Sequence, residues 1–141
     1  KQPVVFVSWA DAQNFCKWRG GDLPTEAQWE IAAQGSNPGG AHFKQVYNVG
    51  STIAVGSKNP NSNGLFDMMG NVYEWTLDWY APYQLENPKL NPKGPPTGKE
   101  KVVRGGAWHS PSHYLRVSDR VAKTPEYKYS DVGFRCAYSK K

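Results

Sequence analysis

Two short apolar stripes of helical spacing, both ahead of Ser36 and each closed by glycine, are all the helix this sequence encodes. In the first, Ser8 and Asp11 form the reciprocal cap of a helix start, and Trp9, Ala12, Phe15 and Cys16 recur on one face until Gly20-Gly21. In the second, Thr25 can cap the backbone with Gln28 one turn on. Trp29, Ala32 and Ala33 then make the stripe, and Gly35 ends it. The rest of the chain must be built from strands, turns and irregular backbone.

That remainder is punctuated accordingly. Residues 36–63 are dominated by Gly, Ser, Asn and Pro, with Val46-Tyr47-Asn48-Val49 and Ile53-Ala54-Val55 as short strand candidates. Thr76 to Trp79 reads as extended and partly buried, and Pro82 to Gly98 as an exposed, proline-stiffened loop. Val102 to Trp108 reads as a strand carrying Gly105-Gly106, where a backbone must approach closely or the strand must bulge. Gly133 to Tyr138 reads as a closing strand. With 14 Gly, 11 Pro, six Trp and eight Tyr, the chain predicts a loop-rich fold held by aromatic packing.

At 141 residues, 38% hydrophobic and 21% charged, the chain has the size and balance of one soluble globular domain, without an apolar run long enough to span a bilayer. It opens on Lys1-Gln2-Pro3 with neither an initiator Met nor a leader pattern, so it reads as a piece of a longer protein. The net charge of +5 comes from scattered Lys and Arg and accompanies no nucleic-acid-binding motif, so no nucleic-acid partner is expected. Cys16 and Cys136 are too few for a four-sulfur zinc site and are either two buried thiols or one long staple.

Several stretches together resemble the formylglycine-generating-enzyme, or sulfatase-modifying-factor, domain family. They are Pro3-Val4-Val5 through Trp9, Leu23-Pro24-Thr25-Glu26-Ala27-Gln28-Trp29-Glu30, Gly64 to Trp75, Arg104-Gly105-Gly106 and Gly133-Phe134-Arg135-Cys136. The resemblance implies an α+β, elaborated C-type-lectin-like fold with little regular secondary structure. It also implies that residues 1–141 are the C-terminal portion of a single such domain, whose first strands precede Pro3.

Catalytic members of that family hold copper(I) on two cysteines placed just after the Gly-Gly pair, soft thiolates being suited to that ion. Ser110 stands where the first would be, and the second has no counterpart because the segment up to Arg120 is shorter. The resemblance implies that Cys16 and Cys136 match a disulfide pair, so no copper is expected. Such a bond would close a loop of about 120 residues, worth about 4–5 kcal/mol in the loop-entropy model, and would place the protein outside a reducing compartment.

Asp67, Gly70, Val72 and Glu74 match the family's calcium ligands through the outer two side chains and the inner two carbonyls, an oxygen set suited to a hard cation. A second family calcium site is degraded around Asn48 and Val49. His109 and His113 lie one helical turn apart, but Pro111 between them argues against a helical metal pair. With Trp108 they are expected to line a partner-binding groove. Ser110, His113 and Asp119 lack the strained turn and oxyanion arrangement that a triad needs. Arg104, Arg116, Arg120 and Arg135 are expected to pair with buried carboxylates such as Glu30 and Glu74.

The function expected from sequence is a non-catalytic, extracytoplasmic domain that binds a protein partner or serves as a subunit of an envelope assembly. The alternative is an oxidoreductase or maturation factor for a secreted product that uses His109, Ser110, His113 and Tyr114 in the same groove. Whether any catalysis remains is left open.

Overall fold

The computed structural model describes residues 1–83 and 90–140. The Gln84 to Lys89 part of the proline-stiffened loop lies outside the described residues. Helix α1 spans Trp9–Trp18; the Ser8 hydroxyl accepts from Asp11 N and the Asp11 carboxylate accepts from Ser8 N, as the sequence predicts. Helix α2 spans Glu26–Ala33, with Thr25 and Gln28 forming the same reciprocal cap. The helices bury opposite partners: Ala12 and Cys16 of α1 enter the core with Leu23, Trp75, Val103 and Val132, whereas Trp29 and Ala33 of α2 pack on Met68.

One four-stranded sheet lies between them. β1 (Tyr73–Trp79), β2 (Lys101–Arg104), β3 (Arg120–Lys123) and β4 (Val132–Gly133) are ordered β3-β2-β1-β4. β2 runs antiparallel to both β1 and β3, and β4 runs parallel to β1. The register places Glu74 opposite Arg104 and Arg104 opposite Arg120, so one row across the sheet is charged. That row carries the ion pairs described below.

Three strand expectations are corrected. β2 ends at Arg104 because Gly105 and Gly106 turn to φ +98° and +75°, a region closed to most side chains. A Cβ at Gly105 would come within 3.0 Å of the Trp29 ring and 3.1 Å of the Met68 carbonyl, so this is the close approach the glycine pair permits. The closing strand shrinks to Val132–Gly133, followed by a single bridge between Asp22 and Ala137.

Residues 46–55 form no strand; the buried Asn71 side chain instead bonds Ile53 at both N–H (3.0 Å) and carbonyl (3.2 Å), substituting for a ladder. β3, Arg-Val-Ala-Lys, is a strand the sequence does not predict, being short and without an alternating pattern. It forms because it pairs with β2 at every residue.

Cys16 and Cys136 are joined in a disulfide with a Cα–Cα distance of 5.3 Å, tying α1 to the end of the chain. Among the described residues, no helix is long and apolar enough to cross a membrane.

Candidate functional site

The Asp67–Glu74 loop is shaped by backbone that few residues adopt. Asp67, Gly70 and Asn71 all have φ between +55° and +74°. Gly70 packs against the His42 backbone, where a Cβ would lie 2.4 Å from the His42 carbonyl oxygen, and its N–H donates to the Gly105 carbonyl (2.8 Å). The loop is thereby clamped between the residue 42 segment and the glycine pair.

Among the described residues, no hydrogen bond reaches the carbonyls of the buried Gly70 and Val72. Asp67 accepts from Gly56 N through Oδ2 (2.7 Å). Glu74 is buried and forms a fork with Arg135: Oε1 accepts from Nη2 (2.6 Å), and Oε2 accepts from Nε (2.7 Å) and from Trp29 Nε1 (2.7 Å). Oε1 accepts only one bond and keeps a lone pair. Asp67, the two free carbonyls and the remaining lone pair of Glu74 are thus oxygen donors of the kind a hard cation takes, although among the described residues no cluster of three or more acidic, His or Cys side chains stands there.

Beyond the glycine pair, the residues expected from sequence to line a groove take different environments. Trp108 is buried, with only 3% of its surface exposed. Its Nε1 donates to the Ser130 carbonyl (3.2 Å), and Tyr47 stacks on its ring with centroids 5.6 Å apart. Tyr47, itself exposed, is the side chain that faces outward at this point.

Ser110 is also buried. Its hydroxyl accepts from Ala107 N (2.9 Å) and donates to the Tyr73 hydroxyl (3.2 Å), and burial raises the Tyr73 pKa. Among the described residues, no hydrogen bond joins Ser110 to either histidine. Asp119 closes on Arg116 instead (2.7 Å).

His109 is held by Asp131, with Nε2 3.0 Å from Oδ2, and the other carboxylate oxygen accepts from the Tyr127 hydroxyl (3.1 Å). Desolvation first, then the Asp131 charge, raises the Tyr127 pKa. His113 and Tyr114 lie in a separate exposed turn, Ser112–Tyr114, with ring centroids 4.3 Å apart. The five residues after the glycine pair thus divide into a buried hydroxyl and indole, a carboxylate-anchored imidazole and an exposed aromatic turn.

The sulfatase-modifying factor enzyme 1-like domain matches residues 1–140. The chain belongs to this family. The family member from Bos taurus named formylglycine-generating enzyme is 36% identical over 162 residues, which cover 96% of this chain and 43% of that protein. The Mus musculus protein named inactive C-alpha-formylglycine-generating enzyme 2 is 34% identical over 170 residues, covering 97% of this chain and 49% of that one. The chain therefore spans about half the length of these curated relatives. Among solved structures, Treponema denticola variable protein 1 superposes with a TM-score of 0.84 at 28% identity, covering 95% of this chain and 70% of that one.

The family fold accounts for the arginines as well. Arg104, fully buried, donates to Glu26 (2.6 Å), to Glu30 (2.6 Å) and to the Val117 carbonyl. Arg120 reaches both oxygens of Glu26, and Arg135 takes Glu74. The expected arginine–carboxylate pairing holds, although Arg116 pairs at the surface, with 72% of its side chain exposed.

Sequence reasoning did not find Tyr47, Tyr73, Tyr127 or Asp131, the partners that fix Trp108, Ser110 and His109. Tyr73 alone carried a signal, sitting beside Glu74 in the matched motif. The others come from loops with no local pattern.

Proposed function

We propose that this chain is a non-catalytic member of its family that binds a protein partner, as a subunit of an extracytoplasmic or envelope assembly. The observation that carries the reading is the state of its sulfur. Both cysteines are spent in the Cys16–Cys136 disulfide, and the hydroxyl of Ser110 is buried and engaged at both ends. A chain so built has no thiolate pair for copper(I). The family contains a relative named as inactive. The disulfide supports an oxidising compartment.

Calcium belongs to the same reading. Asp67 and Glu74, with the carbonyls of Gly70 and Val72, would hold it, and its role would be to fix the loop between the residue 42 segment and the glycine pair rather than to act on a substrate. The partner surface would centre on Tyr47, His109, His113 and Tyr114, with Trp108 as the buried support beneath Tyr47.

A second reading, that of an oxidoreductase or maturation factor, is favoured by one observation: the imidazole of His109 is oriented by a buried carboxylate, as general bases are. Two experiments test these readings. The protein is incubated with copper, oxygen and a cysteine-containing sulfatase peptide, and the peptide is read by mass spectrometry. Unconverted cysteine is the expected result, and the aldehyde would overturn the non-catalytic reading. A cellular activity abolished by His109→Ala at unchanged stability would favour the second reading.

A further inference from the structure

A cavity of about 700 Å³ opens on the far side of α2 from Trp29, a size suited to a small ligand or a long side chain. Its charged lining is Glu26 and Glu30 of α2, Asp78 of β1 and Arg120 of β3, most of it engaged in the ion pairs. Glu26 gives both oxygens to Arg104 and Arg120. Arg120 also donates through Nη1 to the Ala81 carbonyl (2.8 Å) and lies over the rings of Tyr83 (4.0 Å) and Tyr80 (4.9 Å).

Two atoms are left. Among the described residues, Glu30 Oε1 and Asp78 Oδ2 accept no hydrogen bond, and Asp78 lines the cavity with only 4% of its surface exposed. Its other oxygen holds Glu26 N (2.8 Å). Gly94 at φ +72° lies against Oδ2, where a Cβ would come within 2.9 Å, so a side chain there would crowd this oxygen. The walls are apolar and aromatic: Trp79, Tyr83, Pro95 and Pro96, with Ile31 exposed at the rim. Lys93 is the one free cation among the lining residues described, and it is exposed at the rim.

Lys101 already lies over one face of Trp79 (3.8 Å), as Arg120 does over Tyr83 (4.0 Å), so the walls offer apolar surface more than free aromatic faces. Open acceptors below such walls suit a cation on an apolar stem. We propose that this cavity takes a lysine or arginine side chain from another polypeptide, its stem against Trp79 and Tyr83 and its charge on Asp78 and Glu30. Burial holds the Asp78 carboxyl above the ordinary range, a cost that a bound cation relieves. The exposed Ile31 and Tyr83 beside the opening offer contact to the residues flanking the inserted side chain. This goes beyond the partner reading above, since it concerns a different face and does not depend on what meets Tyr47.

The test uses short Gly/Ser peptides carrying one central arginine, lysine, norleucine or glutamate. Binding to the intact protein is followed through the Trp79 indole N–H resonance and by calorimetry. The arginine and lysine peptides are expected to saturate the Trp79 shift, with the norleucine peptide weaker by about tenfold or more, as a charge-assisted bond requires. Asp78→Asn keeps the acceptor for Glu26 N, and Ile31→Lys leaves the ion-pair network untouched. Each is expected to weaken the basic peptides about tenfold while the unfolding midpoint holds. Equal binding of the norleucine peptide, preference for glutamate, or no saturable shift with any peptide would overturn the proposal.

Discussion

Arg104 and Glu26 are 78 residues apart in the chain and meet at 2.6 Å, with 0% and 7% of their side chains exposed. This contact locks the helix opened by Leu23-Pro24-Thr25 onto the strand that leads into the glycine pair, and Arg120 of β3 completes it from the other side. A charged group buried this deeply is tolerable only while its partners remain.

Removing one partner should therefore be severe. Glu26→Gln leaves Arg104 and Arg120 facing each other across β2 and β3 and is expected to cost about 3–5 kcal/mol, read as a lowered urea midpoint. Glu26→Gln combined with Arg104→Met is expected to cost less than the sum of the single changes. Strict additivity would mean that the pair is not coupled.

Breaking the Cys16–Cys136 disulfide by Cys16→Ala with Cys136→Ala should cost about 2–5 kcal/mol, since it frees the unfolded chain across nearly its whole length. A reducing agent should lower the melting temperature of the parent protein and leave that of the double variant unchanged.

Lys101 gives the pH dependence. Its ammonium is buried between the rings of Trp9 (3.9 Å) and Trp79 (3.8 Å), donates to the Leu77 carbonyl, and is pulled by desolvation from 10.5 to about 8. Between those values the unfolded chain binds a proton that the folded protein does not, so stability contributed by this residue rises with pH across that window. Urea midpoints from pH 7.5 to 10.5 should rise for the parent relative to Lys101→Met. A parallel pair of curves would place the Lys101 pKa at its ordinary value.

The Asp67 to Glu74 loop predicts a metal effect. Chelation should lower the melting temperature, and calcium but not magnesium should restore it, because a loop of carbonyls and carboxylates suits the larger ion. Asp67→Asn should abolish the response while leaving the chelated protein as stable as the parent. A melting curve indifferent to chelator and calcium would remove the ion from the site.

The sequence by itself determined both helices, their caps, the glycine pair and the family. Each rests on contacts within one or two turns of chain, or on an order of motifs readable along it: Ser8 finds Asp11, and Thr25 finds Gln28, whatever the rest of the molecule does. The charge pairing of Arg104 and Arg135 was legible in kind, because buried arginine demands a carboxylate, but the choice of Glu26 alongside Glu30 was not.

Only the tertiary structure decided that β3 is a strand, that Ser110 is buried, that Tyr47 stacks on Trp108 and that Asp131 holds His109. These depend on which distant backbone arrives at the same place, and strand pairing and side-chain burial leave no local period in charged or loop segments. The same holds for the cavity beside α2, whose lining comes from α2, the sheet and the proline-rich loop.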